Sequence, residues 1–269
     1  MRTVEDLQKL YREELSDNFQ LNITMYDVEQ VLKNLKNNKA TGLDNIAYEH
    51  LKYGGECLKD HMTKLFNLVY FNTYSPKSWK MSLIVPLFKG GDKCKSDPNS
   101  YRGISLAPCI GKVYDKIIDS KLQLNKDNKC FPNPQQTAYQ QGVSCLHTSF
   151  NIHESIYHHL ERLGNILLIL LDSTKAFDTV WHSGLLYKLS EYGVKGKLWL
   201  LIANMYSDTH SAVLFNGQIS RRFQIKRGVR QGSSLSSKLY LLYINDLLEQ
   251  LSERKCGILV SDIRVSSPV

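Results

Sequence analysis

At 269 residues the chain is long enough for one large domain or two smaller ones, each with its own core. A formal charge of +8 and a pI of about 9.0, with Lys and Arg spread along the chain, favour an anionic partner met by a folded basic surface. The charged start, Met1 to Lys9, lacks the apolar core of a secretory signal, and no apolar run is long enough to cross a bilayer, so neither secretion nor a membrane is expected.

The six cysteines, at 57, 94, 109, 130, 145 and 256, form no C-x-x-C pair and no zinc spacing with histidine. They read as reduced thiols of a nuclear or cytoplasmic protein. The sequon Asn22-Ile23-Thr24 is then accidental.

Residues 1–20 are mixed in charge and weakly helical. Thr24 with Asp27 three residues on has the form of a helix start, and Val28, Val31, Leu32 and Leu35 follow at helical spacing. The stretch 37–44 has turn chemistry. A second helix is predicted over 58–70, with Leu58, Met62, Leu65, Phe66 and Val69 on one face and Pro76 beyond its end. Residues 81–88 read as a strand in which Pro86 marks an edge or a bend. A turn with Lys89 and Lys93 and a polar loop lead to a second extended piece, 101–106. Together these suggest a hairpin that holds Lys and Arg over something anionic. Ile110, Val113, Ile117, Ile118 and Leu122 mark a helix, 125–142 a polar loop, and Leu146, Phe150, His153, Tyr157 and Leu160 a further helix. His153 lies on its apolar stripe and reads as a core or boundary residue.

The most hydrophobic run in the chain, 166–171, is short and partly β-branched, and Gly164-Asn165 opens it. It reads as a strand buried on both faces, or as a buried piece of helix. Asp172 follows at once. A carboxylate at the end of a buried strand suits a metal ligand or catalytic group, and it also suits a helix N-cap. Two helices, 185–189 and 197–205, are separated by Tyr192-Gly193. Residues 211–215, Asn216-Gly217 and 219–225 form a hairpin with a type I′ turn. The basic loop 227–234 leads into a helix over 236–251, and 257–260 with 263–265 begin another hairpin. Helices mixed with antiparallel hairpins argue an α+β fold.

In this order the motifs resemble the polymerase core of LINE-type (non-LTR) reverse transcriptases. Leu171-Asp-Ser-Thr-Lys-Ala-Phe-Asp-Thr-Val180, with His182 and Leu185, is similar to the first palm motif of that group. Gly228-Val-Arg-Gln-Gly-Ser-Ser-Leu-Ser-Ser237, ending in Tyr243-Ile-Asn-Asp246, is similar to the second. Ile84-Val-Pro-Leu-Phe-Lys89 and Ser100-Tyr-Arg-Gly-Ile-Ser-Leu106 resemble the fingers motifs, and Lys39-Ala-Thr-Gly-Leu-Asp44 the N-terminal signature. The resemblance covers the chain from about residue 25 onwards.

The resemblance implies the fingers and a partial palm of a right-hand polymerase, with an antiparallel sheet and no thumb. Residues 1–78 would extend the fingers, 79–163 would form the fingers with the basic hairpin, and 164–269 the partial palm. It further implies deoxynucleotide transfer to a primer 3′ hydroxyl, with an RNA template, a DNA primer, a dNTP and two Mg2+ ions. Asp172 and the Ser173 carbonyl would be metal ligands. Phe177 would lie beneath the sugar and exclude a 2′-hydroxyl; the alternative is a core Phe. Lys89 and Arg102 would hold the triphosphate, Arg as a fork and Lys as a point charge; the alternative is a solvated basic loop. Gln231 and Gly232 would sit by the nascent base pair, and Asp178 would cap or position.

The sequence departs from the family at Gln140, where Arg is frequent, and at Ser237, where Pro is common. The family's second metal carboxylates lie in an Ala-Asp-Asp motif, and this sequence ends before it. Binding without turnover is therefore expected of the isolated chain. The alternative function is a non-catalytic nucleic-acid-binding remnant of such an element.

Overall fold

The computed structural model describes residues 3–13, 21–122, 124, 131–140, 142–230, 232–254, 258–260 and 263–265. The chain opens on α1 (Val4–Glu13) and α2 (Met25–Lys33). The start of α2 is fixed by the predicted capping box. Thr24 Oγ1 accepts from the Asp27 amide at 3.3 Å, and Asp27 Oδ2 accepts from the Thr24 amide at 2.8 Å. Lys121 Nζ meets the same carboxylate at 2.8 Å, and that contact ties α2 to a helix almost a hundred residues away.

A short helix, α3 (Tyr48–Lys52), precedes the long α4 (Gly55–Phe71). The predicted apolar face of α4 turns inward: Met62 and Phe66 are fully buried, and Val69 nearly so. A 3-10 turn, Lys77–Lys80, feeds β1 (Met81–Phe88), which pairs with β2 (Tyr101–Leu106). Then come α5 (Cys109–Lys121), α6 (Cys145–Leu163), α7 (His182–Glu191) and α8 (Gly196–Tyr206). They are followed by β3 (Thr209–Phe215), β4 (Gln218–Ile219), β5 (Phe223–Ile225), α9 (Ser234–Glu253), and the hairpin β6 (Ile258–Val260) with β7 (Ile263–Val265).

Helices and sheet are mixed, as an α+β fold requires. The sheet, expected to be antiparallel, is itself mixed. Its order is β2-β1-β3, with β4 and β5 both pairing with β3. β1 and β2 are antiparallel, but β1 and β3 are parallel over 81–84 and 210–213. A parallel pair cannot be closed by a hairpin, and here four helices supply the crossover. The pairing with β3 stops at Ile84, so Pro86 lies where no ladder bond on that side is needed. The Asn216-Gly217 turn takes positive φ at both residues, 49° and 76°, as a type I′ turn does.

One continuous core joins α1, α2, α4, α5, α7, α8 and α9. Phe66, Trp79 and Tyr114 meet ring to ring in it, with centroids 5.2 to 6.1 Å apart. Trp199, fully buried, donates its indole N–H to the Leu186 carbonyl at 2.8 Å.

Two further sequence expectations are corrected. Residues 164–173 form no strand, and the run stands in solvent: Leu167, Leu170 and Leu171 are 83%, 82% and 84% exposed. A strand buried on both faces needs a ladder partner and a layer on each side. β1 to β5 are paired among themselves, and none of them pairs with this run. The stripe on α6 is likewise outward, with Leu146, Phe150 and Tyr157 exposed. His153 is therefore a surface residue, packed on Tyr157 at 4.5 Å and 3.2 Å from Glu154, and not a core one.

Candidate functional site

The β1–β2 hairpin sorts its side chains by the two-residue period of a strand. Leu87 pairs with Arg102 and Val85 with Ile104, so these four share one face. Ile84, Gly103 and Ser105 share the other. The Lys89 amide donates to the Ser100 carbonyl at 2.9 Å and extends the pairing by one step. The Lys89 ammonium is held by the Asn99 carbonyl at 2.7 Å, within its own turn. Arg102 is exposed, and its guanidinium makes no hydrogen bond or ion pair with a described residue.

The segment after Asp172 forms a 3-10 turn, Ala176–Asp178, entered through Lys175 in the left-handed region. Two backbone bonds clamp this turn to the basic loop before α9. The Val229 amide donates to the Phe177 carbonyl at 2.7 Å, and the Gly228 amide donates to the Val180 carbonyl at 2.8 Å. His182 Nε2 adds a third, to the Gly228 carbonyl at 2.8 Å. Only glycine fits at 228: its φ is +96°, and a Cβ would stand 2.9 Å from the Asp178 carbonyl oxygen.

The clamp brings Phe177 and Gly232 to one cavity of about 600 Å³, which Ile104, Tyr139, Ser233 and Ser237 also line. Phe177 is held between two rings. Tyr240 stacks beneath it, and Tyr139 meets it edge-on at 6.0 Å. The Ser173 side chain faces the Tyr240 hydroxyl, whose pKa burial pushes up. Arg102 lies two residues from Ile104 on the same strand face, just outside the residues that line the cavity.

The predicted residues are thus only partly assembled. Phe177 and Gly232 share the cavity, and Arg102 lies on the strand face that reaches it through Ile104. Asp172 is exposed on the extended segment, and it makes no hydrogen bond or ion pair with a described residue. Lys89 spends its charge locally. Gln231 lies outside the described residues. Among the described residues, no group of three His, Cys, Asp or Glu side chains could hold a metal ion. Magnesium needs several hard oxygen ligands in near-octahedral array, and Asp172 with the Ser173 carbonyl does not make a two-ion centre.

Several supporting residues gave no motif signal. Asp115 on α5 is fully buried and receives the Ser233 hydroxyl at 2.8 Å. Burial raises its pKa, and the nearby Arg230 charge pulls it back. Arg230 also donates to the Met205 carbonyl at 3.2 Å, so Arg230 and Ser233 are each tied to a neighbouring element. A carboxylate among the apolar positions Tyr114, Ile117 and Ile118 of a helix was the available clue. On α9, Asn245 accepts from the Asn133 amide at 3.0 Å and donates to Tyr192 at 2.8 Å and Glu249 at 2.9 Å. This buried network anchors the loop that carries Tyr139.

Comparison with known proteins gives the following. The family described as Reverse transcriptase (RNA-dependent DNA polymerase) matches residues 92–266. The RNA-directed DNA polymerase from mobile element jockey of Drosophila melanogaster is 30% identical over 253 residues, covering 90% of this chain and 27% of that protein. The probable RNA-directed DNA polymerase from transposon X-element, also of Drosophila melanogaster, is 30% identical over 221 residues, covering 82% of this chain and 24% of that protein. A putative 115 kDa protein in type-1 retrotransposable element R1DM of the same species is 27% identical over 230 residues, covering 85% of this chain and 22% of that protein. The chain spans about a quarter of the length of these relatives.

Proposed function

Because the chain belongs to the reverse transcriptase family, with relatives among the RNA-directed DNA polymerases of LINE-type elements, we propose that its 600 Å³ cavity binds an incoming deoxynucleoside triphosphate against an RNA template. The observation that carries this reading is the pair of backbone bonds that sets Phe177 and Gly232 together under the Arg102 face of the hairpin. Phe177, fixed by the rings around it, would pack on the sugar and leave no room for a 2′-hydroxyl. Gly232, without a side chain, lets a base pair approach the backbone. Arg102, with no partner of its own among the described residues, is free to fork a phosphate through two parallel N–H bonds.

In the complete reaction a primer 3′ oxygen attacks phosphorus and displaces pyrophosphate. This chain's residues would hold the nucleotide for that displacement. Asp172 and the Ser173 carbonyl, on the segment that leads to the cavity, are the proposed oxygen ligands for the family's metal.

Titration with fluorescent dTTP and UTP tests the reading. The wild type should prefer dTTP, Phe177→Ala should erase the preference, and Arg102→Ala should weaken both about tenfold, the worth of one charge-assisted fork. Equal affinity for both nucleotides in the wild type, or an Arg102→Ala variant that binds as well, would sink it. Primer extension on poly(rA)/oligo(dT) tests the second half. dTTP incorporation by the wild type that vanishes in Asp172→Ala would show turnover, against expectation.

A further inference from the structure

A second cavity, of about 340 Å³, lies on the opposite face of the hairpin, where Ile84, Gly103 and Ser105 point. Among its described lining residues, Lys80, Arg227, Arg230 and His210 are basic, and Asp178 is the one carboxylate. Lys80 is the unusual member. It is only 7% exposed, and among the described residues it has no ion-pair partner. Its ammonium donates to Ser207 Oγ at 3.4 Å and stands 5.6 Å from the Tyr74 ring centre. A hydroxyl and a ring face are poor compensation for a buried charge. Burial lowers the Lys80 pKa, and the neighbouring Arg230 and Lys77 charges lower it further. Asp208 opposes them from the surface, where it also faces His210 at 3.7 Å.

Arg227 of this cavity belongs to a basic stretch of chain. Arg221, Arg222, Lys226 and Arg227 are all exposed, and none of their side chains makes a hydrogen bond or ion pair with a described residue. We propose that the cavity takes a phosphate of a nucleic-acid backbone, with Lys80, Arg227 and Arg230 as its cationic ligands and Arg221 and Arg222 following the strand onwards. A free phosphate would satisfy Lys80 but leave the stretch idle, whereas a strand engages both. The inference rests on the nucleic-acid reading above; the cavity shares Gly228 and Val229 with the clamp on Phe177, but Lys80 and Arg227 do not line the first cavity.

The test is anisotropy of a labelled short single-stranded RNA across a salt series, with the wild type, Lys80→Met, Lys80→Arg and Arg227→Ala. Circular dichroism confirms folding; exposed Arg227 keeps the test alive if Lys80→Met does not fold. Lys80→Met and Arg227→Ala should each weaken binding about fivefold at low salt and flatten the salt slope by roughly 0.7, the share of one phosphate contact. Lys80→Arg should restore most of the loss. Folded variants with wild-type affinity and slope overturn the proposal. So does inorganic phosphate that protects the wild type but not Lys80→Met from heat, if RNA binding is unchanged in both variants; the site then serves free phosphate. A wild type that binds no RNA removes this proposal and the nucleic-acid reading together, whereas RNA binding that ignores the variants removes this one alone.

Discussion

Tyr240 lies flat against Phe177, with ring centroids 4.8 Å apart and planes inclined by 20°. Phe177 sits in a short 3-10 turn, too small an element to fix a side chain by itself. Tyr240 belongs to the 20-residue α9, whose buried Leu239, Leu241 and Leu242 anchor that helix in the core. The position of the ring in the cavity is therefore set by a residue 63 positions away in the sequence. Offset stacks of this kind contribute about 0.5–1.5 kcal/mol beyond the area they bury.

Replacing Tyr240 by Leu should loosen Phe177 and reduce the preference for dTTP over UTP several-fold. Overall nucleotide affinity should change less. Tyr240→Phe keeps the stack and should keep the preference. The ratio of dissociation constants for the two nucleotides reads this, and equal ratios in wild type and Tyr240→Leu would remove the positioning role.

Gly228→Ala should destabilise the chain by about 2 kcal/mol or more, from a strained φ and a Cβ pressed on backbone. Thermal melts check the loss. The clamp between the two segments should fail with it, so dTTP binding should fall even at temperatures where the variant is folded.

Asp115 should make stability depend on pH with a definite sign. Its folded pKa is raised above the ordinary 3.8 by burial, against the pull of Arg230 and Ser233. A raised pKa means that the folded state holds the proton more tightly. That contribution is fully present below the unfolded value and is lost as pH rises through the folded one. Unfolding free energies of wild type relative to Asp115→Asn, from urea titrations between pH 3 and 8 or so, should therefore decline with rising pH. A difference that grows with pH would mean that the carboxylate is held ionised.

Asn245→Leu should cost about 1–3 kcal/mol, because the Asn133 amide loses its buried acceptor. A lowered urea midpoint would register it. Tyr139 should be released along with its loop, so nucleotide selectivity should weaken as well. A variant with wild-type stability would show that the Asn245 network is dispensable.

Serine at Leu167 or Leu170 should change stability by less than about 0.5 kcal/mol, since both side chains are mostly in solvent. Burial in a central strand would make the same changes cost several times more, and a urea titration separates the two.

What could be read from the residues in order was local. Thr24 and Asp27 cap α2 within one turn of chain, Asn216-Gly217 takes the dihedrals its composition allows, and the apolar spacing of α4, α5 and α9 marks their helices. The family motifs were legible for the same reason: each is a short contiguous string. The cavity was not, because Phe177, Ile104 and the Gly232 loop with Tyr240 come from three separated stretches, joined by the Val229 and Gly228 backbone bonds and the Phe177–Tyr240 stack. The parallel pairing of β1 with β3, the buried Asp115 and the stranded charge of Lys80 are likewise properties of neighbours. The run 166–171 makes the same point in reverse. Its hydrophobicity belongs to the sequence, but burial has to be supplied by other segments, and among the described elements no strand pairs with it.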